Sequence, residues 1–285
     1  MEIKTLRSKR KLTVADIFFR VFLWGYAFIS LYPLIWMLFY SFKNNEEIFV
    51  SNPFGLPKVF RYENYINAWS QYDVPVYFLN SLLVATATVV ITIVLSMMFA
   101  YATSRMRWRL KNFARTYVAL GMFIPVQAVL IPVTRIVQDL GLTGSHWALI
   151  VPYTAFNLAF STLVFYGFFV GLPIELEEAS CIDGANIFQT FFYVIVPVVK
   201  PAIATLAIFT FLNSWNEFIL ANVLVMDQSL KTLPLGILFF QGQFTTDWGA
   251  MGATMVIASL PTVLVYTLFS NQVEKAITIS GAVKG

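Results

Sequence analysis

Four carboxylates, Glu175, Glu177, Glu178 and Asp183, crowd a short stretch between two long apolar runs. The stretch continues from Glu178 through Ala179, Ser180, Cys181 and Ile182 to Asp183 and Gly184, and closes at Pro197. It is too short to be a domain and too acidic to lie in lipid. Its chemistry is ion pairing: Glu178 can meet a basic residue on another polypeptide. Ala179 is small and admits a helix at close range. Gly184 permits a close turn or a left-handed backbone between two short helical pieces. Ile182, Ala185, Phe188, Phe192 and Ile195 recur every three or four residues, which predicts one apolar stripe. Pro197 ends the stretch, and Pro201 suits the first turn of the helix that follows.

A second set lies inside an apolar run. Asn213, Trp215, Asn216 and Glu217 put amides, a flat indole and a carboxylate on one helix. That mixture can hydrogen-bond to a sugar and stack on it. Glu217 is expected about 24 Å along the helix from Pro201 at 1.5 Å per residue, in its outer third. A carboxylate there either lines a pathway or packs at an interface, and the sequence leaves both open. Gln127, Asn157, Ser161 and Thr162 are further polar residues in apolar runs, expected to bond helix to helix. Gly167 and Gly171 form one G-x-x-x-G, a weak packing signal.

Catalytic and metal chemistry find no support. The single cysteine, Cys181, permits no intrachain disulfide and no cysteine-based zinc site. The single histidine, His146, beside Trp147, reads as an interfacial polar residue. A nucleophile with its base, or a cluster of ligands, is missing, so the chain is expected not to be an enzyme and to bind no metal or cofactor. No G-x-x-x-x-G-K-[ST] cradles a nucleotide phosphate. Any step driven by ATP must then occur on another polypeptide and reach this one across an interface.

The elements that position these groups are membrane spans. The chain is 58% hydrophobic and 12% charged, with mean hydropathy +0.72, whereas a soluble domain is about a quarter charged. The net charge of +4 gathers at span ends, where anionic lipid and topology account for it better than nucleic acid does. At about 20 residues per crossing, helical spans are expected near 18–42, 76–101, 116–135, 146–170, 201–224 and 250–271. The first is too long for a signal-peptide core and reads as an uncleaved span. Lys4, Arg7, Lys9, Arg10 and Lys11 precede it, and Arg105, Arg107, Arg109, Lys111 and Arg115 separate the second span from the third. Both clusters belong in the cytoplasm. Parity then carries the Glu178 stretch and the tail inside, and puts 43–75 and 226–249 outside. Tyr62, Tyr65, Trp69 and Tyr72 suit either an interfacial helix or a platform for an external partner.

The acidic stretch resembles the EAA loop of ABC-importer permeases, which runs Glu-Ala-Ala, three residues, Gly, nine residues, Ile-x-Leu-Pro. Ser180, Val194 and Val196 depart from it conservatively. Trp-Asn-Glu-Phe at 215–218 and the ending Gly281-Ala282-Val283-Lys284-Gly285 are similar to the maltose-type, carbohydrate-importing branch, and to the smaller permease of its heterodimer. The resemblance implies an all-α integral membrane protein of type I importer fold, with six transmembrane helices and a cytoplasmic coupling helix. It implies an N-terminal region 1–75, a permease core 76–271 containing a coupling loop 172–200, and a cytoplasmic tail 272–285. It assigns Glu178, Ala179, Ser180, Asp183, Gly184 and Pro197 to ATPase coupling, and Gly281 to Gly285 to the vicinity of the ATPase pair. Asn213, Trp215, Asn216 and Glu217 would line the substrate pathway. Gln241, Gly242 and Gln243 would meet a solute-binding protein. The implied partners are a homologous permease, two ATP-binding-cassette ATPases that use ATP and Mg, an external binding protein and a sugar or oligosaccharide. The implied location is the bacterial or archaeal cytoplasmic membrane, crossed several times, with both termini inside. Glycerol phosphate or amino acids are the alternative cargo, but a phosphate should demand basic pathway residues, which the fourth to sixth spans lack. A secondary transporter driven by an ion gradient would need midplane ion ligands in repeated halves, and no such repeat is found.

Overall fold

The computed structural model describes residues 13–240 and 246–282, and all of their regular structure is helical. In order the helices are α1 (Val14–Tyr40), α2 (Glu63–Gln71), α3 (Val74–Ser104), α4 (Lys111–Leu120), α5 (Leu130–Asp139), α6 (Trp147–Gly171) and α7 (Glu175–Ile182). They continue with α8 (Ile187–Gln189), α9 (Val196–Val198), α10 (Lys200–Trp215), α11 (Ile219–Leu224), α12 (Leu233–Gly236) and α13 (Trp248–Ala282). A wide π-helical turn, Thr190–Ile195, joins α8 to α9. Lipid offers no partner to a free amide, so spans close their hydrogen bonds within one segment.

Four helices are long and apolar enough to cross a bilayer: α1, α3, α6 and the Trp248–Phe269 part of α13. The count reaches six if each of two bent pairs is one span. The span expected at 116–135 is therefore not one straight helix. Lys111–Phe123 and Val126–Asp139 meet at 99°. Pro125 lies at the break, and Ile124 before it is extended, at φ −84° and ψ 109°, as a residue preceding proline favours. The span expected at 201–224 also stops short. Its helix ends at Trp215 and resumes as α11 only at Ile219. Before it, Ile187–Val198 meets Lys200–Trp215 at 76°.

The central helix α3 packs against α6 and α10, and α13 covers α10 and α2. The packed face of α3 carries small and polar residues, among them Ser81, Ala85, Thr88, Thr92, Ser96 and Ala100, while Leu79, Val90 and Leu95 face outward. Between membrane helices there is no hydrophobic gain from hiding leucine, so small side chains that admit close approach take the inside. The hydroxyls of Ser96 and Thr103 satisfy themselves on the carbonyls of Thr92 and Phe99, one turn back, at 2.5 and 2.9 Å. By contrast α1 buries none of its residues and touches the bundle through α13.

Two ends can be told apart. At one, Arg105 joins the last turn of α6 and α7. At the other, Asn80 Nδ2 donates to the carbonyls of Ser229 and Lys231 at 2.7 and 3.0 Å. Its Oδ1 accepts from His146 Nε2 at 2.9 Å. His146 therefore stitches loops together. The segment before α2 folds at that same end, where Asn64 Nδ2 donates to the carbonyls of Ser41 and Lys43 at 2.8 and 2.9 Å. Gly249 lies against Asn64 and the Lys43 carbonyl, so close that a methyl group would collide with both.

Candidate functional site

The acidic stretch folds as two short helical pieces around a glycine. Glu175, Glu177 and Glu178 occupy the first turn of α7, where negative charge meets the positive end of the helix dipole. Gly184, at φ +81°, turns the chain. The Ala185 amide donates back to the Ser180 carbonyl and the Gly184 amide to that of Cys181, both at 3.0 Å, a Schellman-type close that calls for glycine. Asn186 then caps α8, accepting from the amides of Phe188 and Gln189 at 3.1 and 3.0 Å, while Gln189 accepts from the Asn186 amide at 2.8 Å.

Side-chain directions divide the residues expected here. Glu178, Ala179, Asp183, Gly184 and Pro197 are exposed, while Ser180 is buried and its hydroxyl lies 2.8 Å from that of Thr190. Glu177 turns inward instead, its carboxylate 3.3 Å from Arg105 Nε. Burial pushes the Glu177 carboxyl up, and the Arg105 charge pulls it part of the way back. The stripe expected from Ile182 to Ile195 is not one face. Ile182, Phe188 and Phe192 are exposed and Ile195 is fully buried. The glycine turn and the π-helical turn each reset the periodicity, which a single 3.6-residue count does not anticipate. The result is a surface that carries Glu178 and Asp183 together with exposed Ile182, Ile187, Phe188 and Tyr193.

The second set forms a polar seam between α6 and the α10–α11 break. Glu217 is not in a helix. Its Oε2 accepts from the Tyr153 hydroxyl at 2.6 Å and the Ala221 amide at 3.1 Å, and its Oε1 accepts from the Leu220 amide at 2.8 Å. It thus satisfies the first free amides of α11. One step along, Asn213 Nδ2 donates to Asn157 Oδ1 at 3.2 Å. The rungs 153–217 and 157–213 are four residues apart on each strand of the seam, one helical turn. Asn213 and Asn216 are exposed. Trp215 is not: it is 2% exposed, stacked on Phe211, edged by Phe78, and its Nε1 donates to the Ala258 carbonyl at 3.0 Å. Its ring faces are occupied by protein. Gln241, Gly242 and Gln243, and likewise Val283, Lys284 and Gly285, lie outside the described residues; Gly281 and Ala282 end α13.

Residues 92–279 match the family described as binding-protein-dependent transport system inner membrane component. The chain belongs to this family. Among its relatives, the probable ABC transporter permease protein YurM of Bacillus subtilis is 35% identical over 285 residues, covering 100% of this chain and 94% of that one. The diacetylchitobiose uptake system permease protein NgcG of Streptomyces coelicolor is 34% identical over 255 residues, covering 89% and 84%. Among solved structures, a bacterial ABC transporter involved in import of the acidic polysaccharide alginate superposes with a TM-score of 0.81 at 23% identity, over 91% of this chain and 98% of that one. The fold is thus that of an ABC-importer permease, an inner membrane component. The matched region contains α7, the seam and almost all of α13.

From sequence alone Arg105 counts only as a topology charge, and Glu177 as a contact, Thr190 and Tyr153 stand unassigned. Arg105 does carry a signal, being the first basic residue after the α3 run. Tyr153, distant in sequence from Glu217, has none.

Proposed function

We propose that this chain is the permease subunit of an ATP-binding-cassette importer for a sugar or oligosaccharide. The observation that carries the reading is the division of labour in the α7 loop. Glu178 and Asp183 face outward beside exposed Ile182 and Phe188, whereas Glu177 and Ser180 fasten the loop to its own chain. An acidic, partly apolar surface held in a fixed posture fits the cleft of a partner that has basic residues and supplies motion. The partners are two ATPases, which use ATP and Mg, a homologous permease and an external binding protein. The α7 loop lies at the Arg105 end, so the positive-inside rule puts it in the cytoplasm with both termini. The end of α13, Gly281 to Gly285, would reach the ATPases, and Gln241 to Gln243 would meet the binding protein.

Nucleotide binding closes the ATPases, and the loop carries that motion into the spans, biasing an equilibrium between outward-open and inward-open states. Asn213, Asn216 and Glu217 are proposed for the pathway, with Trp215 holding the end of α10 in place. Uncharged amides suit a hydroxylated cargo, and the diacetylchitobiose relative supports a carbohydrate. The test is uptake and ATP hydrolysis by vesicles containing the copurified complex, across a panel of oligosaccharides. Glu178→Lys is expected to insert normally and to lose at least tenfold in ATPase retention, as loss of an interfacial charge pair of about 2 kcal/mol implies. Normal uptake in that variant would refute the role.

A further inference from the structure

We propose that Arg105 is a brace that gears the α7 loop to the membrane helices, so that α7 and the end of α6 move as one piece; this rests on the coupling reading of the loop. Arg105 follows the last residue of α3. Its guanidinium donates to the carbonyls of Phe169 and Leu172, the latter at 2.6 Å, and pairs with Glu177 at 3.3 Å. One side chain thereby ties α3, α6 and α7 together. Both partners of this ion pair are mostly shielded, with side chains 11% and 20% exposed. Arg107, Arg109, Glu175 and Glu178 nearby are all exposed.

The brace is backed by packed rings. Tyr101 lies 5.8 Å from the fully buried Phe169 and 4.9 Å from Phe191, which belongs to the second half of the loop. The Ser180–Thr190 contact closes the block from the other side. A helix held only by flexible connections would yield when pushed by a partner and would pass nothing on. A planar guanidinium that engages two carbonyls and a carboxylate fixes direction as well as distance, which a lysine does not. Arg105 and Glu177 are accordingly positioning residues, and neither need touch the ATPase.

The only native cysteine, exposed Cys181 on α7, supplies a probe. The experiment places one spin label there and a second at Val170→Cys, an exposed site at the end of α6. It measures their distance in the copurified complex, with and without a non-hydrolysable ATP analogue, alongside ATP hydrolysis. In the unsubstituted loop a single narrow distance is expected to persist on adding nucleotide. In Glu177→Gln and Arg105→Met the distance splits or broadens with nucleotide while hydrolysis continues. Arg105→Lys follows Arg105→Met. A Glu177→Gln complex whose distances match the unsubstituted one overturns the brace. So does a nucleotide-induced shift in the unsubstituted chain as large as in the variants. Glu178→Lys separates this from the reading beneath it. If that complex keeps its ATPases and its activity, the coupling assignment falls, while the distance measurement still reports whether α7 and α6 are tied.

Discussion

At residue 180 the resembled motif has alanine and this chain has serine, and the exchange has a physical consequence. Ser180 Oγ lies 2.9 Å from the Glu177 carbonyl, to which it donates, and 2.8 Å from the Thr190 hydroxyl, with both side chains buried. Removing one member strands the other in the interior. Ser180→Ala is expected to cost about 1–2 kcal/mol, read as a lowered thermal unfolding midpoint in detergent. Ser180→Ala with Thr190→Val replaces both hydroxyls and should recover most of the loss, so the two substitutions should be markedly non-additive. A double variant no more stable than Ser180→Ala alone would show that the pair does not hold the loop. Glu217 makes the complementary point. Its chemical type was legible, but its job was not, because the job is set by Tyr153 and by amides freed at a break in the helix. A carboxylate that accepts three donors is already satisfied, and a cargo hydroxyl must compete with those bonds or join them.

Among elements, the α7 loop depends on one backbone conformation. At φ +81° with no atom near where a side-chain carbon would sit, Gly184 is required for its torsion and not for space. Gly184→Ala is expected to destabilise the turn by about 1 kcal/mol, the penalty of a left-handed L-residue. It should also weaken ATPase retention, because the turn sets the angle between α7 and α8. Unchanged ATPase copurification with Gly184→Ala would show that this angle is immaterial. The turn itself was legible, since glycine between two helix-forming segments has few other uses. The apolar positions of the spans were legible too, because hydrocarbon imposes one requirement on every residue that faces it. What could not be read was where a span breaks. Pro125 marks one break, but proline also sits inside α1, α6 and α13 at Pro33, Pro152 and Pro261 without ending them. The break after Trp215 has no proline; it is held by the Glu217 side chain, a tertiary fact that composition does not carry. The apolar stripe failed for the same reason, since a period can be counted only within one continuous helix.

Over the whole molecule the two ends have different chemistry, and α13 links them. Its first turn sits at the His146 end, where the Trp248 amide donates to Asn45 at 3.2 Å and the Ala250 amide to Asp247 at 3.0 Å. At 1.5 Å per residue its 35 residues extend about 52 Å, against a hydrocarbon core of about 30 Å. The helix must therefore emerge well beyond the bilayer on the Arg105 side, the side of the α7 loop. That side also carries Arg105, Arg107, Arg109 and Lys111 in one short connection without an acidic residue, the feature that retains a loop in the cytoplasm. The orientation expected from charge puts the α7 loop and the end of α13 on one side, and Cys181 can test it because it is exposed and has no second cysteine in the chain to confuse the signal. An impermeant thiol reagent is expected to modify it in inside-out vesicles and to leave it untouched in intact cells. Within inside-out vesicles, labelling should rise when the ATPases are stripped away, because the α7 surface that carries Cys181 is the one assigned to them. Labelling from outside intact cells would invert the molecule and remove the loop from any cytoplasmic ATPase. Labelling from inside that ignores the ATPases would keep the orientation and move the docking surface elsewhere.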